Sequence, residues 1–465
     1  MRPVLIASNR GPLSFSDSDA GLLPRRGGGG LVSALGGGAS QVGLWVCAAL
    51  TDDDRRATRD GLLPPGVLML DIDPVVLERA YSRVANGALW FTHHLLYDLS
   101  RAPSFDARWQ RDWAGYTAYD EAFADALAAH AAPGDAVLVQ DYHLSLTPRQ
   151  LRERRPDLRI GHFTHTPWAP PELLRVLPDA VVQDLLTGLL GADAVGFLSP
   201  RWAEAFTRCC VELVGARAVP GGIEHEGRTT RVGVHPLGVD AAELRARAGQ
   251  PDVLARRTEL RHVIGDRQLL LRVDRTELSK NIVRGLAAYR ALLTNWPEHR
   301  GQVVHLVLAY PSRHELPEYR EYTAAVQRAA AQVNEDFATS DWLPVRLEVR
   351  DDWPSSLAAY GLADVLVVNP VRDGMNLVAK EGPVCSPDGL ALVLSREAGA
   401  ADELGGDALL VNPFDVTQTA AALHEALVMP PGERWARSAR LAAAGGALPP
   451  AAWLDAQLAA LPREP

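Results

Sequence analysis

Residues 364–381 read DVLVVNPVRDGMNLVAKE, and this stretch indicates the fold class because it combines a strand pattern, a polar loop and a helix pattern. The apolar, β-branched run at its start lacks polar alternation, which predicts a strand buried on both faces. A loop rich in charged and polar residues follows, and good helix formers come after it. A strand, a polar loop and a helix in this order are typical of a parallel sheet that is covered by helices.

The same alternation runs through most of the chain. Short apolar runs predict strands at 3–8, 136–140, 159–165, 194–197, 268–273, 303–310, 364–369 and 390–395. Helical segments are expected between most of them, for example at 107–130, 281–295 and 319–333. The pattern predicts an α/β protein with two doubly wound, Rossmann-like domains facing across a cleft, and ligands are expected at the carboxyl ends of the strands.

The boundary between the two series is marked by turn residues. The stretch VPGGIEHEGRTTRVGV at 219–234 is interpreted as a hairpin, and HPLGVD at 235–240 is interpreted as the hinge. We therefore predict an N-terminal domain at 1–239, joined by a terminal helix at 447–465 that packs back on it. The predicted C-terminal domain covers 240–446.

Composition excludes several classes of protein. The chain has 465 residues and a net charge of -10 without a basic stripe, which argues against a nucleic-acid partner. Its four cysteines lack metal-ligand spacing and are interpreted as buried small hydrophobes in a reducing cytoplasm. No stretch approaches the roughly 18 apolar residues of a membrane span, and the N-terminal apolar run is too short for a signal peptide. We expect a cytoplasmic protein without a membrane partner.

Three loops in the first half carry candidate ligands. The glycine run at 27–30 precedes a predicted helix, where backbone N–H groups can approach an anion, although a turn without a ligand has the same composition. It is not GxGxxG, so a nicotinamide site is not indicated. Asp141 in QDYHLS and His165 in FTHTPWAPPEL stand just past strand ends. An N-cap aspartate and a buried core histidine are the structural alternatives for these two residues.

The first strand of the second half is followed by RVDRTELSKN at 272–281. Arg275 and Lys280 lie five residues apart across a turn into a helix. The planar fork of arginine and the mobile point charge of lysine suit a diphosphate, and Glu277 between them can hold one of the cations in place. A solvated helix start is the structural alternative.

The opening stretch can now be interpreted. Residues 374–378 supply consecutive backbone N–H groups at a helix start, which suit phosphate or sugar hydroxyl groups. Asp373 can accept hydrogen bonds from hydroxyls, and Glu381, about two helical turns on, can reach a ribose diol. A structural turn needs far fewer polar groups, so the loop is predicted to bind an activated sugar.

In combination, these motifs resemble the trehalose-6-phosphate synthases of glycosyltransferase family 20, which have the GT-B fold. The resemblance covers nearly the whole chain. It rests on SNR, GGL, ANGALW, DYHL, HTPW, VDRTELSKN, RDGMNLVAKE, SREAGAADEL and VNPFD, in family order. The segment KEGPVCSPDG departs from the family pattern just after Glu381.

The resemblance implies a role for each matching residue. Catalysis is expected from Arg275, Lys280, Asp141 and His165, with the two cations on the donor diphosphate and His165 near the hydroxymethyl group of the donor glucose. Donor binding is expected from Gly29, Gly30, Arg275, Lys280, Asp373, Gly374, Met375, Asn376, Leu377, Val378 and Glu381. Acceptor binding is expected from Arg10, Trp45, Tyr81, Trp90, Asp141 and Arg313.

The implied reaction transfers glucose from a nucleotide-diphosphate glucose to glucose 6-phosphate with retention, which gives α,α-trehalose 6-phosphate. No carboxylate is a convincing covalent nucleophile, and the resemblance implies that the leaving diphosphate helps to deprotonate the acceptor. We expect no cofactor and no metal. Two alternatives remain open, namely a pseudo-glycosyltransferase that couples a nucleotide cyclitol to an amino-cyclitol phosphate, and a non-catalytic sugar-phosphate sensor. The donor base, uracil or guanine, and the oligomeric state, which includes a homo-oligomer, are also open.

Overall fold

The computed structural model describes residues 3–18, 21–27, 35, 42–313 and 315–462. The described chain divides into two compact units, residues 1–237 with 450–465 and residues 238–449. The division falls inside the HPLGVD segment that was interpreted as a hinge. The expected limits, 239 and 447, differ from these by two and three residues.

The first unit is built on a nine-stranded sheet in the order β5-β4-β1-β6-β7-β8-β11-β10-β9. Its described strands, with the separate β2–β3 hairpin, are β1 Val4–Ser8, β2 Leu13–Ser16, β3 Leu23–Arg26, β4 Val42–Ala48, β5 Val67–Leu70, β6 Ala136–Gln140, β7 Arg159–Thr164, β8 Ala194–Phe197, β9 Arg217–Val219, β10 Gly222–His225 and β11 Arg228–Val234. The first six positions have the 3-2-1-4-5-6 order of a doubly wound sheet. The hairpin predicted at 219–234 is present as antiparallel β10 and β11, and β11 continues the sheet parallel to β8.

Helices flank this sheet. They are α1 Asp52–Arg59, α2 Pro74–Leu77, α3 Trp90–His93, α4 Ala107–His130, α5 Thr147–Arg154, α6 Pro171–Leu174, α7 Asp179–Leu190, α8 Pro200–Val214 and, from the end of the chain, α18 Pro450–Ala460, with a π-helix at Glu78–Leu89 and a 3-10 turn at Tyr142–Leu144. The prediction for 107–130 matches α4 at both ends. The terminal helix α18 packs into this unit because Trp453 is fully buried and its indole N–H donates to the His235 carbonyl at 3.1 Å.

The second unit contains a six-stranded parallel sheet in the order β14-β13-β12-β15-β16-β17. Its strands are β12 Gln268–Arg275, β13 Val303–Tyr310, β14 Val345–Val349, β15 Val365–Val368, β16 Ala391–Ser395 and β17 Leu409–Val411. This is again the 3-2-1-4-5-6 order, so the topological switch point lies between β12 and β15. The loops after these two strands carry the RVDRTELSKN and NPVRDGMNLVAKE motifs.

The helices of the second unit cover both faces of its sheet. They are α9 Ala241–Ala248, α10 Pro251–Ile264, α11 Ile282–Asn295, α12 Pro317–Phe337, α13 Trp353–Tyr360, α14 Val378–Cys385, α15 Ala401–Leu404, α16 Val416–Val428 and α17 Pro431–Gly445, with 3-10 turns at Leu278–Lys280 and Pro297–His299. The prediction of two doubly wound domains is therefore confirmed. The buried core on one face joins β13 to α11, α12 and α16 through apolar side chains such as Val307, Leu286 and Leu423.

Candidate functional site

The candidate donor residues of the second unit meet at its switch point. Arg275 is the last residue of β12, and Lys280 ends the 3-10 turn that follows. The Lys280 ammonium pairs with the Asp373 carboxylate at 2.5 Å, and the two side chains are 12% and 16% exposed. Burial by itself would lower the pKa of Lys280, but Asp373 and Asp274 offset burial and raise it. Lys280 is therefore a permanent cation at a strand end, where an anionic ligand can replace or share its partner.

A buried arginine lies beneath this pair and joins the two loops. Arg272 is fully buried in β12 and pairs with Asp274 at 2.7 Å. Its guanidinium also donates to the Lys280 carbonyl oxygen at 3.0 Å and to the side-chain oxygen of Asn369. Burial raises the pKa of Asp274 to about 6 although Arg272 opposes the shift. The sequence analysis did not identify Arg272. A charged residue within the otherwise apolar strand QLLLRV could have indicated it.

The loop from 369 to 377 is fixed against the segment after β16. Gly399 donates its N–H to the Asp373 carbonyl at 3.1 Å, and Ala400 donates to the Met375 carbonyl at 2.8 Å. A Cβ atom on Gly399 would lie 1.9 Å from the Gly374 carbonyl oxygen, so only glycine allows this approach. The SREAGAADEL motif therefore supports the backbone of the loop from 369 to 377. The helix after the loop, α14, begins at Val378 with Leu377 as its N-cap and no side-chain cap. The Lys380 and Glu381 N–H groups donate to the Leu377 carbonyl, so the N–H groups at the very start of the helix are the ones available to a ligand.

Glu381 lies one turn into α14. Its carboxylate accepts a hydrogen bond from the Tyr360 hydroxyl at 3.1 Å, and burial raises the pKa of Glu381. A carboxylate held by one hydroxyl retains acceptor capacity for a diol. The ribose role of Glu381 remains a prediction that this geometry supports. The unusual KEGPVCSPDG segment places Pro383 inside α14, and that helix ends two residues later.

Glu277 joins two of the candidate arginines. One of its carboxylate oxygens lies 2.8 Å from Arg275 and 3.4 Å from Arg313, and it also accepts from the Ser312 hydroxyl at 2.8 Å. Burial would raise the pKa of Glu277, but Arg275, Arg313 and Lys280 lower it to about 2. The carboxylate is therefore ionised at neutral pH. Arg313, predicted for the acceptor phosphate, is thus held beside Arg275, predicted for the donor diphosphate.

The candidate residues of the first unit form a second group. Arg10 donates to the Tyr81 hydroxyl at 3.0 Å, and the Tyr81 ring stacks on His143 with their centroids 5.7 Å apart. The His143 ring nitrogen lies 3.8 Å from the Asp141 carboxylate. Tyr81 projects from the π-helix, a rare element often found at functional sites. Four polar side chains from three segments therefore adjoin one another, and three of them follow β1 or β6, at the switch point of this sheet.

Asp141 and His165 are tied together at the ends of β6 and β7. The Asp141 carboxylate accepts from the His165 backbone N–H at 3.1 Å, and Asp141 has a φ of 73°, in the left-handed region. The His165 imidazole lies 2.9 Å from the Gln140 side-chain oxygen. Burial, with a smaller contribution from His162, lowers the pKa of His165 to about 3. A neutral imidazole suits a hydrogen bond to a sugar hydroxyl, whereas it lacks the second, acidic proton that a general acid would donate at neutral pH.

The remaining predicted residues differ in their surroundings. Trp45 is 4% exposed, and its indole N–H donates to the Ser8 hydroxyl at 2.7 Å within the sheet. Trp90 is also buried, and it stacks on His94 with their centroids 3.7 Å apart. Both tryptophans support the surrounding structure, and their acceptor roles remain predictions. Gly29 and Gly30 lie outside the described residues.

Two further features bear on metal binding and on membrane insertion. Within the described ranges, one group of potential metal ligands stands out, namely Glu298, His299 and His424. These residues lie before β13 and on α16, away from the carboxyl ends of the strands, and none is a predicted site residue. In the described part of the chain, no helix combines the length and the apolar character that crossing a membrane requires.

Comparison with known proteins agrees with this geometry. The family model described as glycosyltransferase family 20 matches residues 26–461. A bifunctional trehalose-6-phosphate synthase/phosphatase of Thermoproteus tenax is 33% identical over 448 residues, which cover 93% of this chain and 60% of that protein. The chain thus spans about three fifths of the length of the first curated relatives it matches.

Two solved structures match over both full chains. One is described as trehalose-6-phosphate from E. coli bound with UDP-2-fluoro glucose, with a TM-score of 0.85, 27% identity and 98% coverage of each chain. The other is an α,α-trehalose-phosphate synthase (UDP-forming) from Burkholderia xenovorans in complex with glucose-6-phosphate, with a TM-score of 0.85, 27% identity and 99% coverage of each chain. The family match, the relatives and the two doubly wound sheets agree, and the chain belongs to glycosyltransferase family 20, with the GT-B fold.

Proposed function

We propose that this chain is a retaining glucosyltransferase that transfers glucose from a nucleotide-diphosphate glucose to glucose 6-phosphate and forms α,α-trehalose 6-phosphate. The observation that carries the proposal is the pair of cations at the end of β12 and in the turn that follows it, Arg275 and Lys280, beside the loop with Asp373 at the switch point. Related proteins are named as UDP-forming synthases, and solved relatives hold UDP-2-fluoro glucose and glucose-6-phosphate.

The donor site follows from these contacts. Arg275 and Lys280 neutralise the charge that develops on the departing diphosphate, which is the main electrostatic requirement of the transfer. Asp373 accepts hydrogen bonds from the glucose hydroxyls, and the N–H groups at the start of α14 face the same ligand. Glu381 binds the ribose. Because Arg272 joins both loops from below, it holds these groups in position before the donor binds.

The acceptor site requires a phosphate group. Each unit has donors that suit a phosphate monoester, namely Arg10 with Tyr81 in the first unit and Arg313 beside Glu277 in the second. Asp141 binds a hydroxyl of the acceptor sugar, and neutral His165 lies at the hydroxymethyl group of the donor glucose. Free glucose lacks the anion, so it would forgo the charge-assisted hydrogen bonds that Arg10 and the largely buried Arg313 can donate to a phosphate.

The intact polar loops favour transfer of a true sugar. A pseudo-glycosyltransferase would be expected to alter the sugar-contacting loops, yet DYHL and RDGMNLVAKE keep Asp141 and Asp373 in contact with neighbouring site residues. A non-catalytic sensor would be expected to have lost one of the two cations. Both alternatives predict no disaccharide phosphate from nucleotide glucose.

A nucleotide-release assay tests the proposal. UDP-glucose and GDP-glucose are each combined with glucose 6-phosphate or with glucose, and Lys280→Ala serves as the inactive control. We expect release that depends on glucose 6-phosphate with at least one donor, and little release with free glucose. Arg313→Ala should weaken the preference for the phosphate ester. Equal efficiency with the two acceptors in the wild type would show that the acceptor site is assigned wrongly.

A further inference from the structure

The buried carboxylate of Glu277 is in contact with two arginines, Arg275 and Arg313. Its side chain is 0% exposed and sits between the end of β12 and the 3-10 turn at Leu278–Lys280. One oxygen, Oε1, contacts Arg275, Arg313 and the Ser312 hydroxyl. The other, Oε2, is buried and has no hydrogen-bond partner among the described residues. A buried charge of this kind is stabilised by the cations it pairs with.

The shared oxygen limits the distance between the two arginines. The Nη1 atom of Arg275 is 2.8 Å from Oε1 and that of Arg313 is 3.4 Å from it, so the two nitrogens can be no more than about 6.2 Å apart. Two guanidinium groups at this separation repel each other unless an anion lies between them. Arg313 is further held by the Tyr319 hydroxyl at 2.7 Å, whereas about half of the Arg275 side chain is exposed. Glu277 therefore determines where both cations point.

We propose that Glu277 is a positioning residue that couples donor binding to acceptor binding, because one carboxylate holds the arginine of the donor diphosphate and the arginine of the acceptor phosphate. The inference rests on the proposed function, which assigns those two phosphates to Arg275 and Arg313. Each guanidinium divides its attraction between Glu277 and a substrate anion. When one arginine is removed, the Glu277 carboxylate is neutralised only by the other arginine and attracts it more strongly. The remaining arginine then binds its substrate phosphate less tightly.

This coupling makes a prediction across the two substrates. Arg275→Ala, a change at the donor side, should weaken binding of glucose 6-phosphate at least about fivefold. The same substitution in a Glu277→Gln background should change that affinity less than twofold, because the neutral amide exerts no such attraction on Arg313. Glutamine keeps the size of the side chain and one oxygen acceptor for Arg313 and Ser312. A purely structural role for Glu277 predicts the same factor in both backgrounds.

The measurement is a double-mutant cycle by calorimetry. Glucose 6-phosphate is titrated into wild type, Arg275→Ala, Glu277→Gln and the double variant, each with saturating UDP, so that binding is measured without turnover. Arg290→Ala is the matched control because Arg290 is similarly exposed and pairs with a single carboxylate, Asp336, on the surface of the same unit. Its affinity for glucose 6-phosphate should equal that of the wild type.

Each result supports or overturns the inference. A fivefold effect that disappears in the Glu277→Gln background supports it, and an equal effect in both backgrounds overturns it. If Glu277→Gln does not fold, Glu277→Asp takes its place, since the shorter side chain withdraws the carboxylate from the two arginines, and the cross effect should again fall below twofold. If the wild type binds glucose 6-phosphate without transferring glucose, the proposed reaction is contradicted, and the same double-mutant cycle still decides for or against the coupling. A wild type that does not bind it overturns both.

Discussion

Arg275→Ala should reduce transfer strongly while leaving the fold almost unchanged. The Arg275 side chain is 47% exposed, so truncating it leaves no cavity in the buried core. Glu277 keeps two other contacts, Arg313 and the Ser312 hydroxyl, so the substitution does not leave a buried charge without partners. Loss of a cation that stabilises the leaving diphosphate removes about 2–4 kcal/mol of transition-state stabilisation. This corresponds to a decrease of about 30- to 1000-fold in kcat/KM.

The assay compares kcat/KM for nucleotide release with the midpoint of thermal unfolding in the same preparations. Arg290→Ala provides the control, with a half-exposed arginine paired to Asp336 at a surface with no predicted site residue. We expect it to stay within threefold of the wild type. If Arg275→Ala kept more than a third of the wild-type kcat/KM, or lost activity only in proportion to its folded fraction, the role of Arg275 at the diphosphate would be refuted.

Three further predictions follow from the structure. Chelation with EDTA should leave turnover within twofold, because Asp373 and Glu277 are already paired with cations; loss of activity that Mg²⁺ or Mn²⁺ restores would contradict this. Gly399→Ala should abolish transfer and lower the unfolding midpoint, since its Cβ would lie 1.9 Å from the Gly374 carbonyl oxygen; Gly432→Ala, which has open space around it, is the control. His305→Asn should reduce the decrease in the free energy of unfolding at acidic pH. Burial lowers the pKa of His305 to about 3 from its ordinary 6.5, so the unfolded state takes up the extra proton between these values. The free energy of unfolding of the wild type should therefore fall relative to that of the variant as pH drops below 6.5, by up to about 1.4 kcal/mol per pH unit. Denaturant titrations at pH 4 to 7 measure both. Parallel pH dependences of the two proteins would contradict the prediction.

Strongly apolar strands and long helices were predictable because each carries its own periodicity. Strands such as β12 and β15 and the helix α4 match the predictions within about two residues. The short or less apolar strands β2, β3, β4, β5, β9, β14 and β17 were missed, as was the π-helix at Glu78–Leu89. A π-helix differs from an α-helix in hydrogen-bond register, which leaves no clear mark on the sequence pattern.

The candidate site was predictable where a motif follows a strand, as with Lys280 and Asp373, which form an ion pair in the structure. Long-range support was not predictable. The contact of Arg272 with Asn369 joins residues 97 apart in the chain, and no local pattern specifies that pairing. The approach of Gly399 to Gly374 likewise depends on how two loops lie side by side. These supporting residues hold in place the loops that carry the predicted substrate-binding side chains.

The central claim is that this chain joins glucose to glucose 6-phosphate with retention. The most direct test is a proton NMR spectrum of the product made from the preferred nucleotide glucose and glucose 6-phosphate. We expect a disaccharide monophosphate whose two anomeric protons both have the small coupling of α linkages, which identifies α,α-trehalose 6-phosphate. A β-configured linkage, release of free glucose without a disaccharide, or no product from any nucleotide glucose would contradict it.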